Sequence, residues 1–329
     1  MRLAIVGCGS SGKRHMGNFK ALGVEEIAGV DPRTDRLEEA RTRHGVTELY
    51  ASLDEALANK PFDAAVVCTP PVWHIPVATA LINNGISLLI EKPLAVSVDG
   101  VEDMLQLAKR RGLVVITGYT YRFWPPLLKL KELLDENAVG QVYAVRVIFS
   151  EYLPDWHLWE DYRSWFMAKK EEGGGAILEN SHTLDFVRWL FGEIKEISCF
   201  DEKVSRLEVT SDDIAVMLVR FASGAVGTIH QDIFGRLHQR SIDVLGERGN
   251  LHWDFFQNRV EWYNGDEKKR EVFPFTCERN DMFVAEAKHL LRCIDGKEKP
   301  HIDGWDGLRT LECVLAALRS SETKQSVQL

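Results

Sequence analysis

The feature that most constrains this 329-residue chain is a glycine-rich turn near its N-terminus. The apolar run Leu3–Val6 predicts a short strand, and the run Lys13–Leu22 predicts a helix. Between them, the first glycine permits a tight turn, the second lets backbone approach a pyrophosphate, and the third allows close helix–strand packing. Together with the N–H groups that open the helix, the turn predicts a dinucleotide site at Gly7, Gly9, Ser10, Ser11 and Gly12.

The second half of a dinucleotide fingerprint follows this turn. A strand, Ile27–Val30, ends in Asp31, nineteen residues beyond Gly12. A carboxylate there can accept hydrogen bonds from both ribose hydroxyls of an adenosine, which favours NAD over NADP. Arg33 lies near enough in sequence to bind a 2′-phosphate, so NADP stays possible. The alternative, a glycine-rich turn without a cofactor, does not account for Asp31.

Strands and helices keep alternating as far as about residue 120. Ser52 and Glu55 form a capping box at the start of one helix. Continuous apolar runs, which are typical of buried parallel strands, occur at Ala64–Cys68, Ser87–Ile90 and Val114–Thr117. Repeated β-α units of this length predict an α/β fold, with a doubly wound parallel sheet over residues 1–120.

Two segments follow the ends of these strands, where open α/β sheets bind ligands. One is the rigid loop Thr69-Pro70-Pro71, which leads to His74, and the other is Glu91-Lys92-Pro93. A capping role for His74 fits equally well, since it stands where a helix begins. We expect the cofactor contacts of the two segments to be Thr69, Pro70, His74, Glu91 and Lys92.

Lys92 is the residue around which we expect the chemistry to be organised. Pro93 fixes its own φ and disfavours the helical region for Lys92, so the lysine is presented from an extended turn. Ser97 is a predicted N-cap for the next helix. A lone lysine here is more often a surface residue at a strand end. The fingerprint before it and a glycine–histidine segment after it favour a functional role.

An aromatic and proline-rich hinge begins after Gly118 and contains one cation, Arg122. Further on, the segment Leu153–Trp165 places aromatic side chains among charged groups. Flat aromatic faces suit a sugar or polyol, because its C–H faces stack while its hydroxyls need partners. An aromatic-stapled loop or a subunit contact explains the pattern equally well. The residues concerned include Trp156, His157, Trp159, Tyr162 and Arg163.

A helix introduced by Gly173-Gly174-Gly175 carries a candidate for proton transfer. The run Ile177–Leu190 predicts this helix, with Asn180, His182 and Asp185 near its N-terminal end. His182 and Asp185 are three residues apart and share a face, so the carboxylate can orient the imidazole. A lone histidine on a helix is more often structural. Glycines that let a ligand approach nevertheless favour His182 as an acid–base residue.

The remaining chain predicts a mostly antiparallel sheet and two closing helices, which complete a second domain over residues 121–329. Ile214–Phe221 alternates only loosely, so we expect the sheet to be covered on both faces, by helices and by another subunit. The C-terminal helix is a candidate to pack back on the first domain. The predicted helices are Asp281–Cys293 and Gly304–Ser320.

Composition narrows the possible functions. A formal charge of −9 without a basic stripe argues against a nucleic-acid partner. The six cysteines form no C-x-x-C pair and no cluster with histidine, so we expect reduced thiols and no metal site. No apolar run approaches the ~20 residues of a membrane span. These features predict a soluble, cytoplasmic protein.

Five motifs together resemble the Gfo/Idh/MocA family of NAD(P)-dependent oxidoreductases, which includes inositol, glucose and nucleotide-sugar dehydrogenases. The similarity spans essentially the whole chain and implies an N-terminal Rossmann domain. It also implies a C-terminal α/β domain whose open, mostly antiparallel sheet often mediates homodimers or homotetramers. The motifs are the fingerprint with Asp31, Thr69-Pro70-Pro71 with His74, Glu91-Lys92-Pro93, Gly118-Tyr119-x-x-Arg122-Phe123, and the triple glycine with His182 and Asp185.

The resemblance also implies roles for individual residues. Lys92 would hydrogen-bond the reacting hydroxyl of a sugar, polyol or nucleotide sugar, and His182 would exchange its proton as hydride passes to the nicotinamide. Inositol-dehydrogenase-like members carry Asp where this chain has Leu178, so the polyol contacts must differ. The substrate would also be held by Arg122, Trp156, Tyr162, Arg163, Asn180 and Asp185.

Two other functions stay open at this point. Glycosidases of the same family use bound NAD transiently and show no net cofactor turnover. A non-enzymatic sensor would use the fold to bind NAD(P) and a partner, although intact Lys92 and His182 speak against it.

Overall fold

The computed structural model describes residues 1–156, 158 and 160–329, and the chain divides into two compact units. Unit 1 comprises Met1–Thr120 and Asn280–Leu311, whereas unit 2 comprises Tyr121–Arg279 and Glu312–Leu329. The chain therefore leaves unit 1 near residue 120, returns to it near residue 280, and leaves it again near residue 311.

Unit 1 contains a six-stranded sheet in the order β3-β2-β1-β4-β5-β6, in which every neighbouring pair is parallel. The predicted doubly wound sheet is thus confirmed, and its order reverses beside β1, where such folds bind ligands. Its strands are β1 (Arg2–Val6), β2 (Glu26–Val30), β3 (Glu48–Tyr50), β4 (Ala64–Val67), β5 (Ser87–Glu91) and β6 (Val115–Gly118). The helices along this stretch are α1 (Ser10–Ala21), α2 (Thr34–His44), α3 (Leu53–Leu57), α4 (His74–Asn83) and α5 (Val101–Arg110).

The core of unit 1 draws on residues from both ends of the chain. Every residue of β1 and β5 is buried, the apolar residues of both strands together with the polar Arg2, Ser87 and Glu91. The helix α9 (Arg279–Ile294) contributes Ala287 and Leu290 to the same core cluster as Leu3 and Ile5 of β1. The sheet of the first 120 residues is therefore completed by a helix that lies far along the chain.

Unit 2 contains a nine-stranded sheet in the order β14-β13-β12-β11-β7-β10-β9-β8-β15. Only the β7–β10 pair of this sheet is parallel, so the predicted mostly antiparallel sheet is confirmed. Its strands are β7 (Val142–Tyr152), β8 (Ile194–Glu202), β9 (Ile214–Phe221), β10 (Val226–Asp232), β11 (Phe234–Gly246), β12 (Gly249–Asp254), β13 (Arg259–Asn264), β14 (Lys269–Pro274) and β15 (Val327–Gln328). The remaining helices are α6 (Pro125–Asp135), α7 (Ala176–Glu179), α8 (His182–Phe191) and α10 (Gly304–Thr323). Among the described residues, no helix combines the length and apolar character that crossing a membrane requires.

Two local predictions are wrong, and one is confirmed. The single helix expected over Ile177–Leu190 is broken into α7 and α8 at Asn180, whose carbonyl accepts a hydrogen bond from Thr183 Oγ1 at 2.9 Å. Ser97 does not cap α5, because the chain continues to Gly100 before the helix begins. The capping box is present, with Ser52 accepting a hydrogen bond from the Glu55 N–H at 3.2 Å.

A matched pair of glycines on α1 tests the packing of the fingerprint. A Cβ at Gly12 would overlap the carbonyl oxygen of Gly7, whereas one at Gly17 would meet only the His44 ring, at 3.8 Å. Gly12→Ala is expected to lower the free energy of unfolding by about 1–3 kcal/mol through overpacking. Gly17→Ala is expected to be neutral or to raise it by up to about 1 kcal/mol, because alanine favours helix. Urea unfolding of both variants is the measurement, and equal effects would contradict the proposed contact.

Candidate active site

The fingerprint turn is held by its backbone to the strands on both sides of β1. Gly7 has φ of +97°, and its N–H donates to the Val30 carbonyl at 2.8 Å. A Cβ on Gly7 would lie 2.5 Å from the Cys68 carbonyl oxygen, so only glycine fits there. The turn ends at Gly9, the N-cap of α1, which leaves the first N–H groups of the helix at Ser10 and Ser11 to face a ligand.

Asp31, the predicted ribose contact, also supports this turn. It is 2% exposed, and its carboxylate accepts from the Cys8 N–H and the Arg33 N–H, each at 2.8 Å. Burial and the nearby Asp31 charge raise the pKa of the Cys8 thiol to about 12. The thiol beside the turn is therefore neutral at physiological pH.

Arg36, rather than Arg33, is the cation beside the fingerprint. The Arg33 guanidinium is half exposed and pairs with Asp35, at 2.5 Å between Nη2 and Oδ2. Arg36 Nη1 lies 3.6 Å from Asp31 Oδ2 and would lie 3.7 Å from a Cβ built on Gly9. The sequence pattern missed Arg36, although its place in the first turn of α2, five residues after Asp31, is a usable signal.

His74 links the loop after β4 to the turn after β5. It is 1% exposed, and its ring nitrogens lie 2.9 Å from the Pro93 carbonyl oxygen and 2.8 Å from the Thr69 carbonyl oxygen. Burial lowers the pKa of His74 even though both carbonyls favour the charged ring. The imidazole thus ties the two predicted cofactor segments together, and the contacts it makes are with backbone.

Lys92 stands at the carboxyl end of β5, at the edge of the sheet that also carries the fingerprint turn and Asp31. It is half-buried, and the Lys92–Pro93 peptide bond is cis. The preceding carboxylate, on Glu91, is directed inward, with its Oε1 2.9 Å from His15 Nε2. Pro70 is half-buried in the loop at the same edge. The predicted cofactor residues of unit 1 are therefore gathered on one sheet edge.

In unit 2, packing within the chain explains two of the three glycines before α7. A Cβ at Gly174 would overlap backbone of Phe166 and Met167, and one at Gly175, with φ of +126°, would overlap the Asp212 carboxylate. Asp212 accepts from the Ile177 N–H at 3.1 Å and so holds the start of α7. Burial raises the pKa of Asp212, and burial together with Asp212 raises that of Asp201 to about 8.

Arg122 and Asp185, both expected to contact substrate, bind each other. Two hydrogen bonds join them, from Nε to Oδ2 at 3.0 Å and from Nη2 to Oδ1 at 2.6 Å. Asp185 is fully buried and Arg122 is 9% exposed. Bidentate pairing of this kind fixes the guanidinium plane and neutralises the carboxylate. The pair therefore joins Arg122, which is next to Tyr121 in the sequence, rigidly to α8.

Asn180, close to His182 in the sequence, has a buried side-chain amide. His182 is half-buried at the first residue of α8. Asn180, two residues earlier, is 2% exposed, and its Nδ2 has no hydrogen-bond partner within the described chain. The backbone carbonyl of Asn180 accepts a hydrogen bond from Gln231 Nε2 at 3.0 Å. A buried amide donor without a partner is suited to a ligand hydroxyl.

A buried cation that binds Tyr121, the aromatic neighbour of His182, was not predicted from the sequence. The Tyr121 ring packs on the His182 ring with centroids 5.0 Å apart and planes inclined by 64°. Arg240, 5% exposed, donates to the Tyr121 hydroxyl at 2.6 Å and pairs with Glu151. No motif marks Arg240, because its partners lie 119 and 89 residues away in sequence.

The aromatic segment before α7 is partly a loop whose aromatic side chains pack on a buried cluster. Trp156 and Tyr162 pack against a buried cluster that contains Leu153, Trp165 and Ile233. His157 and Trp159 lie outside the described residues. Arg163 is exposed and pairs with Asp161 and Glu208, each at 2.6 Å. The side chains expected to hold a sugar therefore make contacts within unit 2 itself.

Two segments of the chain match two models of one protein family. Residues 1–119 match the oxidoreductase family with an NAD-binding Rossmann fold, and residues 127–252 match the GFO/IDH/MocA C-terminal domain. The chain is 27% identical over 343 residues to the myo-inositol 2-dehydrogenase of Thermotoga maritima, covering 100% of this chain and 98% of that protein. It is 24% identical over 339 residues to the scyllo-inositol 2-dehydrogenase (NAD(+)) of Bacillus subtilis, covering 100% and 96%.

Solved structures of other proteins match the fold of this chain along its whole length. GenD2 from gentamicin A biosynthesis, in complex with NAD, has a TM-score of 0.85 and 26% identity, covering 100% of this chain and 96% of that one. Levoglucosan dehydrogenase, in complex with NADH and levoglucosan, has a TM-score of 0.89 at 18% identity, covering 100% and 99%, which shows a shared fold. The chain therefore belongs to the Gfo/Idh/MocA family and is an NAD-binding oxidoreductase.

Proposed function

We propose that the protein transfers a hydride between a secondary alcohol of a sugar, polyol or nucleotide sugar and NAD. The observation that carries the proposal is the position of Lys92, at the end of β5 on the same sheet edge as the fingerprint turn and Asp31. The names of the relatives support the substrate class, since they include inositol dehydrogenases that match this chain along its whole length.

In this proposal, residues of the protein bind the oxygen of the reacting hydroxyl and transfer its proton. Lys92 donates a hydrogen bond to the reacting hydroxyl and stabilises alkoxide character on its oxygen. His182 takes the hydroxyl proton as general base, while the electron pair of the O–H bond becomes the new carbonyl π bond. NAD, which the fingerprint turn and Asp31 would hold, would supply the acceptor for the hydride of the carbinol carbon. Reduction of a carbonyl follows the same steps in reverse.

We propose that polar and aromatic groups of unit 2 bind the rest of the substrate. The unpartnered amide donor of Asn180 supports a hydroxyl contact. Arg122, held flat by Asp185, would present a fixed guanidinium rather than a mobile charge. Leu178 offers no hydrogen bond, so we propose hydroxyl contacts different from those of inositol-dehydrogenase-like members. Trp156, Tyr162 and Arg163 remain proposed contacts of the same substrate.

The first test is NADH formation at 340 nm with polyols, aldoses, anhydrosugars and nucleotide sugars, each with NAD and NADP. We expect turnover with one of these classes and a preference for NAD, because the Asp31 carboxylate repels a 2′-phosphate. Tight NAD binding without turnover on the whole panel would favour the glycosidase or the sensor instead. A preference for NADP would contradict the ribose role of Asp31 and point to Arg36.

Replacement of Lys92 tests its assignment to the reacting oxygen. Lys92→Ala is expected to lower kcat by about 10²–10³-fold, as for loss of one donor to a developing oxyanion. NAD affinity, measured by fluorescence titration, should change little. The matched control is Lys109→Ala, on the exposed face of α5. An unchanged kcat in Lys92→Ala would remove this lysine from the mechanism.

The outer face of the nine-stranded sheet supports a further part of the proposal, a homodimer or homotetramer. Phe200, Leu218 and Val226 lie on this face of β8, β9 and β10, and their side chains are 71%, 59% and 43% exposed. An apolar patch of this kind is typical of an interface. Leu218→Glu is expected to shift the protein towards monomer in light scattering after size exclusion. A monomeric wild-type protein would contradict the assignment.

A further inference from the structure

The buried arginine of the nine-stranded sheet, Arg240, takes no part in the chemistry proposed above. It stands on β11 opposite Phe149 of β7, and Glu151 follows two residues further along β7 on the same face. Arg240 is 5% exposed and Glu151 is 6% exposed. A buried ion pair adds little stability relative to apolar side chains of similar volume. Stability alone therefore does not explain why a cation occupies this position.

The guanidinium of Arg240 holds two acceptors at once. One arm, Nη2, pairs with Glu151, and the other, Nη1, donates to the Tyr121 hydroxyl at 2.6 Å. The guanidinium carbon also lies 4.7 Å from the ring centroids of both Phe149 and Phe255. Because the donors of a guanidinium have fixed directions, this enclosed group determines where the Tyr121 hydroxyl lies.

The Tyr121 ring in turn contacts α8 at two residues one turn apart. Its centroid lies 5.0 Å from that of the His182 ring and 5.8 Å from that of Phe186, with planes inclined by 64° and 55°. His182 and Phe186 share a face of α8, because residues four apart are neighbours on a helix. Tyr121 is 3% exposed. The ring is therefore a fixed surface against which the His182 imidazole packs.

Tyr121 is also enclosed from its other sides. The ring centroids of Trp253 and Phe255 lie 6.4 Å and 6.0 Å from that of Tyr121. The next residue, Arg122, forms the bidentate pair with Asp185 of α8 described above. Two consecutive residues are thus anchored in different ways, Tyr121 to the sheet through its hydroxyl and Arg122 to the helix that begins at His182.

We propose that Arg240 is a positioning residue that holds the His182 imidazole in place through Tyr121. Glu151 orients the guanidinium, the guanidinium fixes the Tyr121 hydroxyl, and the Tyr121 ring supports the imidazole. The position of the imidazole matters because a general base acts only within hydrogen-bond reach of its proton. The effect on turnover rests on the proposed function, whereas the contact between Tyr121 and His182 does not.

Two substitutions break the bond between Arg240 and Tyr121 from its two ends. Tyr121→Phe removes the hydroxyl and keeps the ring, and Arg240→Lys keeps a charge for Glu151 but loses the planar fork. Each is expected to lower kcat by up to about 10²-fold through misplacement of the imidazole, with the NAD dissociation constant unchanged. The double variant should lose no more than the weaker single variant, because both changes remove the same bond. Additive losses would overturn the route through the hydroxyl.

A second arginine–tyrosine pair on the same two strands supplies the matched control. Arg236 is exposed, and its guanidinium carbon lies 3.8 Å from the Tyr152 ring centroid. Tyr152→Phe and Arg236→Lys make the same chemical changes away from His182 and should leave kcat unchanged. An equal fall of kcat in these controls would overturn the specific role of Arg240.

A His182→Gln background separates positioning from a general effect on the fold. If Arg240 and Tyr121 act through the imidazole, Tyr121→Phe should cost no further kcat once the imidazole is absent. The same fold-loss in both backgrounds would overturn the proposal. Tyr121→Phe, which keeps the packing volume, decides the question if Arg240→Lys does not fold.

NMR of the full-length protein with carbon-13-labelled histidine tests the contact without any substrate. The ring resonances of His182 are assigned by their loss in His182→Gln, and the Tyr121 ring current shifts them. Tyr121→Phe and Arg240→Lys are expected to move these resonances, whereas Tyr152→Phe should not. Unmoved resonances would overturn the proposal. Resonances that move in a protein without dehydrogenase turnover would contradict the proposed function while supporting the contact.

Discussion

The close approach of the Gly7–Gly12 turn to its neighbours is the constraint on which unit 1 depends. The turn is tied to β2 through the Val30 carbonyl and the Asp31 carboxylate, and there is no room for a side chain between Gly7 and the end of β4. These contacts align the carboxyl ends of three strands. Phosphate, ribose and nicotinamide can then be met by one edge, because the groups that would bind them are carried by the same rigid sheet.

The parts of the protein that were predictable from sequence are those whose signal is local. A strand, a tight turn and a helix follow one another within Leu3–Leu22, and apolar runs such as Ala64–Cys68 can be satisfied only inside a parallel sheet. The broken helix was not predictable in this way. Apolar periodicity continues through Asn180, but the buried Gln231, fifty-one residues away, takes the Asn180 carbonyl and favours a new start at His182.

The candidate site was less predictable because a sequence does not reveal which charges neutralise each other. Arg122 and Asp185 were assigned to substrate, yet sixty-three residues apart they form one bidentate pair. Arg240 carries no motif, although it lies against the Tyr121 ring that packs on His182. The pairing of charges that lie far apart in the sequence, rather than secondary structure, is the part of the candidate site that the sequence could not predict.

The contribution of α9 to the first sheet has a consequence for how the protein is made. Leu290 and Cys293 share a core with Leu3 and Phe19, so the apolar surface around β1 is not completely covered until about residue 294 has been synthesised. Domains usually fold in order of synthesis, N-terminal first. Here the nucleotide-binding half is begun first and finished almost last. The nascent chain therefore carries a partly uncovered apolar sheet face through most of its translation.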